Sequence, residues 1–218
     1  MDTDGWLTNR QLSRAPSAYD VKARWVTSYV YELPFGKGKR FLNRRGVVDG
    51  IIGGWQLSGI FTLQSGLSYT VSVSGDPANV GQSSDRPDRL ASGITSQRTL
   101  ERWFDPNAFV APGDTELPPA QRKDYHHGNS GRDILYADGR EGWDSGLFKN
   151  FRITENHKLE FRFEAFNLPN HPDFNAPSAS LISTKVPGKT TADLNPNLGR
   201  VSSAAAPRIL QMALRYVF

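Results

Sequence analysis

A pair of adjacent histidines is the first group of residues that could do chemistry. His126 and His127 stand in a polar stretch near Asp124 and Asp133, so a surface metal site is conceivable. Adjacent residues rarely ligate one ion well, however, and no third ligand has a recognised spacing. The sequence therefore predicts no metal site. The two other histidines fall in turn-forming stretches and are expected to be structural.

A glycine–lysine segment at residues 35–39, FGKGK, is the second group. It is not a phosphate-binding loop, because the spacing of two glycines followed by Lys and Ser or Thr is missing. With Arg40, Arg44 and Arg45 it forms a cluster of five cations that could bind nucleic acid or lipid headgroups. The favoured interpretation is a solvated turn without a nucleic-acid partner.

A row of alternating charges, Glu160, Arg162 and Glu164, is the third group. Residues two apart share one face of a strand, so this row predicts a solvated ion ladder and not a catalytic carboxylate pair. No Ser-His-Asp or Cys-His arrangement can be placed on defined elements. The sequence thus predicts no catalytic residue, no cofactor and no enzyme activity.

The composition limits the class of protein that could position these groups. The 218 residues include 20 Gly, 14 Pro and no Cys, with 38% hydrophobic and 22% charged residues. No stretch approaches the ~20 apolar residues of a membrane-spanning helix, and the first 20 residues lack the apolar core of a secretion signal. These features exclude a helical membrane protein and a disulfide scaffold. They leave open a membrane β-barrel, whose apolar residues stand at every second position.

Alternation of apolar and polar residues predicts β-structure throughout, whereas helix signals are confined to residues 41–52 and 96–104. The second strand is expected to continue through a bulge at Ser65-Gly66. The five predicted strands lie near residues 22–33, 52–73, 142–151, 157–166 and 207–218.

Connections of very unequal length separate these strands. Two polar segments, residues 74–142 and 167–207, are long, whereas residues 34–50 and 152–157 make shorter turns. Long loops at one end and short turns at the other are typical of outer-membrane barrels. The predicted fold is an all-β, open, curved antiparallel sheet in up-and-down order, a partial wall of a large barrel with long loops.

The two faces of the predicted sheet differ in chemistry. Aromatic residues near the strand ends, Trp25, Tyr31, Trp55 and Trp143, suggest the girdle of a membrane protein. The ladder of Glu160, Arg162 and Glu164 would face a wet lumen. One face should carry Tyr29, Leu57, Phe61, Leu147, Phe161, Phe163, Leu214 and Tyr216, and the other Gln56, Thr62, Asp144, Glu160, Arg162, Glu164, Gln211 and Arg215.

The C-terminal sequence RILQMALRYVF resembles the β-signal of bacterial outer-membrane proteins, in which an alternating strand closes on an aromatic residue. Upstream, YVYELPFGKGKR, IIGGWQLSGIFTLQSGLSYTV, WFDPNAF, WDSGLFKNFRI and LEFRFEAFNLPNHPDF occur in that order. Together they resemble the C-terminal barrel portion of TonB-dependent receptors of the Oar-like type, which often begin with a carboxypeptidase-regulatory-like domain. The resemblance assigns the β-signal to Leu210, Met212, Leu214, Tyr216 and Phe218.

This resemblance implies a bacterial outer-membrane receptor with a 22-stranded barrel, a plug and energy coupling. Residues 1–218 would be a fragment, the C-terminal segment of such a barrel, without the plug and the N-terminal strands. Its expected partners are outer-membrane lipid, the remainder of the barrel and plug, and the barrel-assembly machinery. The TonB complex would be reached only through the missing plug. The fragment alone would not be an active transporter.

A soluble β-sandwich, with a carbohydrate-binding or adhesin-like role, is the alternative. Its half-buried strands would also alternate, and its exposed aromatic residues could stack on sugars. The terminal strand discriminates between the two hypotheses, because a soluble sandwich has no physical need for an alternating strand that ends on Phe218.

Overall fold

The computed structural model describes residues 11–43, 46–113, 118–121, 124–154 and 156–218. Its strands are β1 (Arg24–Glu32), β2 (Trp55–Gln64), β3 (Ser68–Tyr69), β4 (Ser72–Ser74), β5 (Ser84–Asp85), β6 (Asp88–Arg89), β7 (Phe109–Val110), β8 (Leu135–Tyr136), β9 (Arg140–Arg152), β10 (Lys158–Phe166), β11 (Ser180–Ile182) and β12 (Ile209–Val217). The α-helices are α1 (Val47–Ile52) and α2 (Thr191–Leu194), and short 3-10 turns cover Pro106–Ala108 and Pro119–Gln121.

The chain divides into two compact units. The sheet unit consists of Ala23–Ser65, Arg140–Asp173 and Ala205–Phe218. The loop unit consists of the described residues of Met1–Lys22, Gly66–Gly139 and Phe174–Ala204. Along the chain, the passages between the two units fall before β1, after β2, before β9, after β10 and before β12.

The sheet unit is a single five-stranded antiparallel sheet in the order β1-β2-β9-β10-β12. Each strand pairs with the next of these five along the chain, so the predicted all-β, up-and-down topology is confirmed. The pairing is long, and nine residues of β12 from Ile209 to Val217 pair with β10. Strands of this length alternate apolar and polar residues, which is why the sequence pattern located them.

The second predicted strand is wrong in its length. β2 ends at Gln64, and Ser65 closes this pairing by donating its N–H to the carbonyl of Ala23, 2.9 Å away. Beyond it, the carbonyl of Leu67 accepts the N–H of Ala137, and β3 pairs with β8 in the loop unit. The predicted bulge is therefore a change of sheet. Period-2 alternation resumes on both sides and cannot show which partner a strand pairs with.

The two long polar segments, predicted as loops, fold into the loop unit with a core of its own. Its small sheets have the orders β11-β4-β5, β3-β8 and β6-β7. The centre is an edge-to-face pair, Phe104 and Phe109, whose ring centroids are 5.8 Å apart. Around it the buried hydrophobic residues are Val71, Val73, Ala108, Ala111, Leu135, Leu181 and Leu198. These residues come from several separate segments, 71–73, 104–111, 135, 181 and 198, so no single segment shows the core.

One of the two helix predictions is correct in part. The segment 41–52 contains α1, although the helix covers only Val47–Ile52. The segment 96–104 is not helical, because Thr99 and Arg102 exchange reciprocal backbone hydrogen bonds of 3.1 Å in a tight turn. Phe104 then enters the loop-unit core. Burial of the Phe104 ring stabilises this non-helical conformation more than the weak helical pattern of residues 96–104 stabilises a helix.

Candidate functional site

The pairing register divides the five-stranded sheet into an apolar face and a polar face. Residues that pair directly across strands lie on the same side, as do residues two apart. The apolar face carries Trp25, Thr27, Tyr29, Tyr31, Trp55, Leu57, Gly59, Phe61, Leu63, Glu141, Trp143, Ser145, Leu147, Lys149, Phe151, Leu159, Phe161, Phe163, Ala165, Leu210, Met212, Leu214 and Tyr216.

The polar face carries all eight residues predicted for the second set, including Asp144 and Gln211. All eight members of the first predicted set, from Tyr29 to Tyr216, lie on the apolar face. The predicted separation of the two sets is therefore confirmed. A slip by one residue in any strand would have mixed them.

Hydrogen bonds link the polar side chains in the middle of the apolar face. Trp143 Nε1 donates to the hydroxyl of Tyr29, 3.0 Å away. Ser145 Oγ donates to the carbonyl of Ser58 at 3.1 Å and therefore accepts from the Tyr29 hydroxyl at 3.0 Å. The Tyr29 ring covers Gly59, where a Cβ would lie 2.6 Å from the Tyr29 oxygen. This chain of donors ends on a backbone carbonyl and is suited to an apolar environment, in which an unpaired polar group is costly.

Lys149 is the one cation among the residues of the apolar face, and it is 2% exposed. Its ammonium donates to the carbonyl of Ile51 at 2.8 Å and to that of Gly53. The same ammonium lies over two rings, 5.1 Å from the centroid of Trp55 and 4.7 Å from that of Phe151. Backbone carbonyls and aromatic faces thus solvate this charge. The sequence indicates this buried lysine, because Lys149 stands at one of the alternating positions of residues 143–151 that are otherwise mostly apolar.

The predicted ion ladder lies on the polar face. Glu160 is its centre, with Lys158 Nζ at 2.9 Å, Arg162 Nη2 at 3.9 Å and Arg215 Nη1 at 4.0 Å. Arg215 reaches Glu160 across the β10–β12 pair. Glu164, the third predicted member, instead lines a shallow cleft further along the strand.

This cleft has a volume of about 290 Å³ and a floor of small residues, including Ser58 and Gly146. Phe148 and Ile60 contribute apolar walls, and Asp144 stands beside Glu164 at the rim. Sequence reasoning missed the cleft, because its floor depends on which small residues pair across three strands.

The four girdle residues fall into two groups at opposite ends of the apolar face. Trp25 and Trp143 lie towards the end where β1 begins, and Tyr31 and Trp55 towards the other end. The cross-strand row that contains Trp25 and the row that contains Phe151 are about ten residues apart, which is ~33 Å along a strand at ~3.3 Å per residue. At a tilt of ~45° this spans ~23 Å, close to the ~25 Å apolar band of outer-membrane barrels.

The predicted β-signal residues form one exposed row. Leu210, Met212, Leu214 and Tyr216 share the apolar face, and Met212 is 75% exposed. Phe218 lies just beyond β12 and is 88% exposed, with its ring 5.9 Å from that of Tyr216.

A family model described as an outer membrane beta barrel domain matches residues 3–211. The chain belongs to this outer-membrane family. Its location is accordingly the bacterial outer membrane, as the sequence predicted. No curated protein and no solved structure matches the chain significantly. Among the described residues, no α-helix has the length and apolarity needed to cross a membrane.

In this outer-membrane chain, the histidine pair belongs to the loop unit. Both ring nitrogens of His126 contact carboxylates, with Nε2 2.9 Å from Asp88 and Nδ1 3.1 Å from Asp124. His127 Nδ1 lies 2.9 Å from Asp85, whose carboxylate is buried. Both contacts of His126 can be hydrogen bonds only when its ring carries two protons.

These histidines act as ion-pair partners within the loop unit. Within the described ranges, no group of three or more His, Asp or Glu side chains has the arrangement of a metal site. Asp133, the fourth residue considered from sequence, is instead bonded to Thr70 and Arg132, with Asp133 Oδ1 2.9 Å from the Thr70 hydroxyl.

The pH dependence of the loop unit should follow His126. Burial lowers the pKa of this imidazole, but hydrogen bonds and charge attraction from Asp88 and Asp124 outweigh it, and the pKa is raised overall. A raised pKa stabilises the fold in full below the unfolded value near 6.5, and the stabilisation disappears as the pH rises through the folded pKa. Hydrogen exchange of residues 66–139 should therefore show greater protection at mildly acidic than at alkaline pH.

His126→Gln should remove most of this dependence. His171→Gln, at a turn of the sheet unit, is the matched control and should preserve it. An unchanged pH profile in His126→Gln would contradict the assignment.

Proposed function

We propose that this chain forms part of the barrel wall of a TonB-dependent receptor of the Oar-like type. The observation that carries this proposal is the apolar face, on which the central polar groups bond to one another or to backbone carbonyls. The opposite face presents an ion ladder around Glu160 and a small cleft. One dry face and one wet face are what a wall between lipid and a lumen requires.

The loop unit supports a role in ligand recognition. It has its own core, so its surface loops are held on a defined scaffold, as binding loops usually are. Val80, Leu90 and Ile94 are large hydrophobic residues exposed on this unit. In the proposed receptor the loop unit contributes to the extracellular binding surface, while the sheet unit contributes structure.

The remaining partners follow from the resemblance of the sequence motifs. Further barrel strands would pair with the outer edges of β1 and β12, and a plug would couple the receptor to the TonB complex. The barrel-assembly machinery would recognise the row that ends on Phe218. In this proposal the chain has no catalytic role.

The alternative of a soluble β-sandwich receives less support. The five long strands form one sheet, whereas a sandwich needs two sheets that cover each other. The family match also assigns the chain to the outer membrane.

Arginine substitutions on neighbouring positions of β12 test which face meets lipid. In the receptor that contains this segment, Met212→Arg should destabilise the membrane-inserted barrel by roughly 2–4 kcal/mol, the cost of a cation near the bilayer midplane. Met212 lies in the row of Phe163 and Leu147, in the middle of the apolar face. Ala213→Arg, on the polar face, is the matched control and should cost less. Guanidinium unfolding from phosphatidylcholine vesicles measures both free energies. Equal tolerance at the two positions would show that the assignment of faces is wrong.

Surface labelling tests the orientation of the loop unit. Because the chain has no cysteine, a single cysteine at Val80 or at Thr154 provides a unique label. In intact cells, a polymer-linked maleimide too large for porins should label Val80→Cys. Thr154→Cys, in the turn between β9 and β10, should react only after the outer membrane is permeabilised. The opposite pattern would place the loop unit in the periplasm.

Deletion of Phe218 tests the proposed assembly signal. In the receptor that contains this segment, the deletion should abolish outer-membrane assembly and lead to periplasmic accumulation or degradation. If Phe218 only packs at the membrane interface, assembly should be normal, with a stability loss of roughly 1.5–3 kcal/mol. Cell fractionation distinguishes the two results, and Phe218→Tyr, which keeps the aromatic ring, is the control.

A further inference from the structure

The connection between β1 and β2 folds back over the apolar face of the sheet. The carbonyl of Ile51, in the last turn of α1, accepts hydrogen bonds from Lys149 Nζ at 2.8 Å and from Trp55 Nε1 at 3.0 Å. Both donors lie on the apolar face, and the Lys149 ammonium also binds the carbonyl of Gly53. The end of α1 is therefore held on the side of the sheet that we assign to lipid.

This connection has a defined internal structure. The Asp49 carboxylate accepts the N–H of Lys37 at 2.6 Å and ties α1 to the turn before it. A Cβ at Gly36, where φ is +108°, would lie 2.6 Å from Gly53 Cα, so the two segments touch at a point with no room for a side chain. The rings of Phe35 and Phe41 contact each other, with centroids 5.8 Å apart. The connection thus presents α1 in a fixed orientation.

The outward side of α1 is apolar and exposed. Val47, Val48, Ile51 and Ile52 fall within about 140° of the helix circumference, at ~100° per residue. Val47 is 80% exposed and Ile51 62%. Asp49 and Gly50 occupy the rest of the circumference. A six-residue helix with this distribution buries none of its apolar side chains within the described structure.

Cations flank this apolar surface in the same connection. Lys39 forms an ion pair with Glu32, and the guanidinium carbon of Arg40 lies 5.4 Å from the centroid of the Phe41 ring. Lys37 precedes them in the turn. Arg44 and Arg45, the remaining members of the predicted basic cluster, lie outside the described residues. Apolar side chains beside cations match the boundary between acyl chains and phosphate headgroups.

We propose that residues 34–43 and 46–54 form an interfacial anchor, which inserts Val47, Val48, Ile51 and Ile52 into the acyl–headgroup boundary of the membrane. Lys37, Lys39 and Arg40 then meet the lipid phosphates. The occupant is phospholipid because the anchor is continuous with the lipid-facing side of the sheet, so the inference rests on the proposed function. This conclusion replaces the solvated turn that the sequence suggested.

Single-cysteine fluorescence tests the anchor, with two labels on opposite sides of one helix. Val48→Cys places an environment-sensitive fluorophore on the apolar side. Gly50→Cys is the matched control, since a Cβ at Gly50 meets no atom within 4 Å and points away from the apolar side. The receptor that contains this segment, with no other cysteine, is reconstituted in vesicles of phosphatidylcholine and phosphatidylglycerol. Quenching by headgroup-region nitroxide lipids is compared with quenching by aqueous iodide.

The expected result is a blue-shifted emission at Val48 with strong quenching by the nitroxide lipids and weak quenching by iodide. The Gly50 label should show the reverse. Equal iodide quenching at both positions would overturn the anchor. Protection of Val48 from both quenchers would indicate a protein contact and would also overturn it.

A second pair of labels separates failure of the anchor from failure of the proposed wall. Met212→Cys lies in a central row of the apolar face and Ala213→Cys on the polar face of β12. If the Met212 label is quenched by deep nitroxide lipids while the Val48 label is not quenched by headgroup-region lipids, the wall stands and the anchor is wrong. If neither label meets lipid, the proposed function fails and the anchor fails with it.

Discussion

Pairing of polar groups on the apolar face is the constraint on which the rest of the sheet depends. Strands that border hydrocarbon cannot leave a donor unpaired, and here each central donor has a protein acceptor. The chain from Trp143 through Tyr29 and Ser145 ends on the carbonyl of Ser58. The charged ammonium of Lys149 is also paired within the protein. Two carbonyls of the β1–β2 connection and two aromatic faces take the place of water around it.

The same interactions explain why the two ends of the sheet differ. At one end, Lys149 and Trp55 hold a short, folded connection against the apolar face. At the other end, the chain leads from the strands into the loop unit, which has its own core of Phe104, Phe109 and their neighbours. In the loop unit, His126 and His127 are paired with aspartates.

Much of the sheet was predictable because a membrane strand obeys a local rule. Period-2 alternation assigned residues such as Phe161, Leu214 and Glu160 to their faces, and the register agrees for all of them. The aromatic residues at the strand ends were also visible in the sequence. The cleft and the cluster of charges around Glu160 were harder to predict from the sequence, since each depends on residues brought together from two or three strands. The loop-unit core was missed, because it is assembled from short apolar segments that are separated by long polar stretches.

The sequence by itself determined the β class, the alternation of faces and the inequality of the connections, since each follows from the order of neighbouring residues. Tertiary structure decided where β2 stops, because continuing alternation is compatible with either sheet and only pairing with β8 places Ser68 and Tyr69 in the loop unit. It also decided where the basic connection lies. Composition alone suggested a solvated turn, whereas the bonds from Lys149 and Trp55 to Ile51 bring α1 onto the apolar face. Contacts across nearly a hundred residues of chain cannot be derived from local patterns.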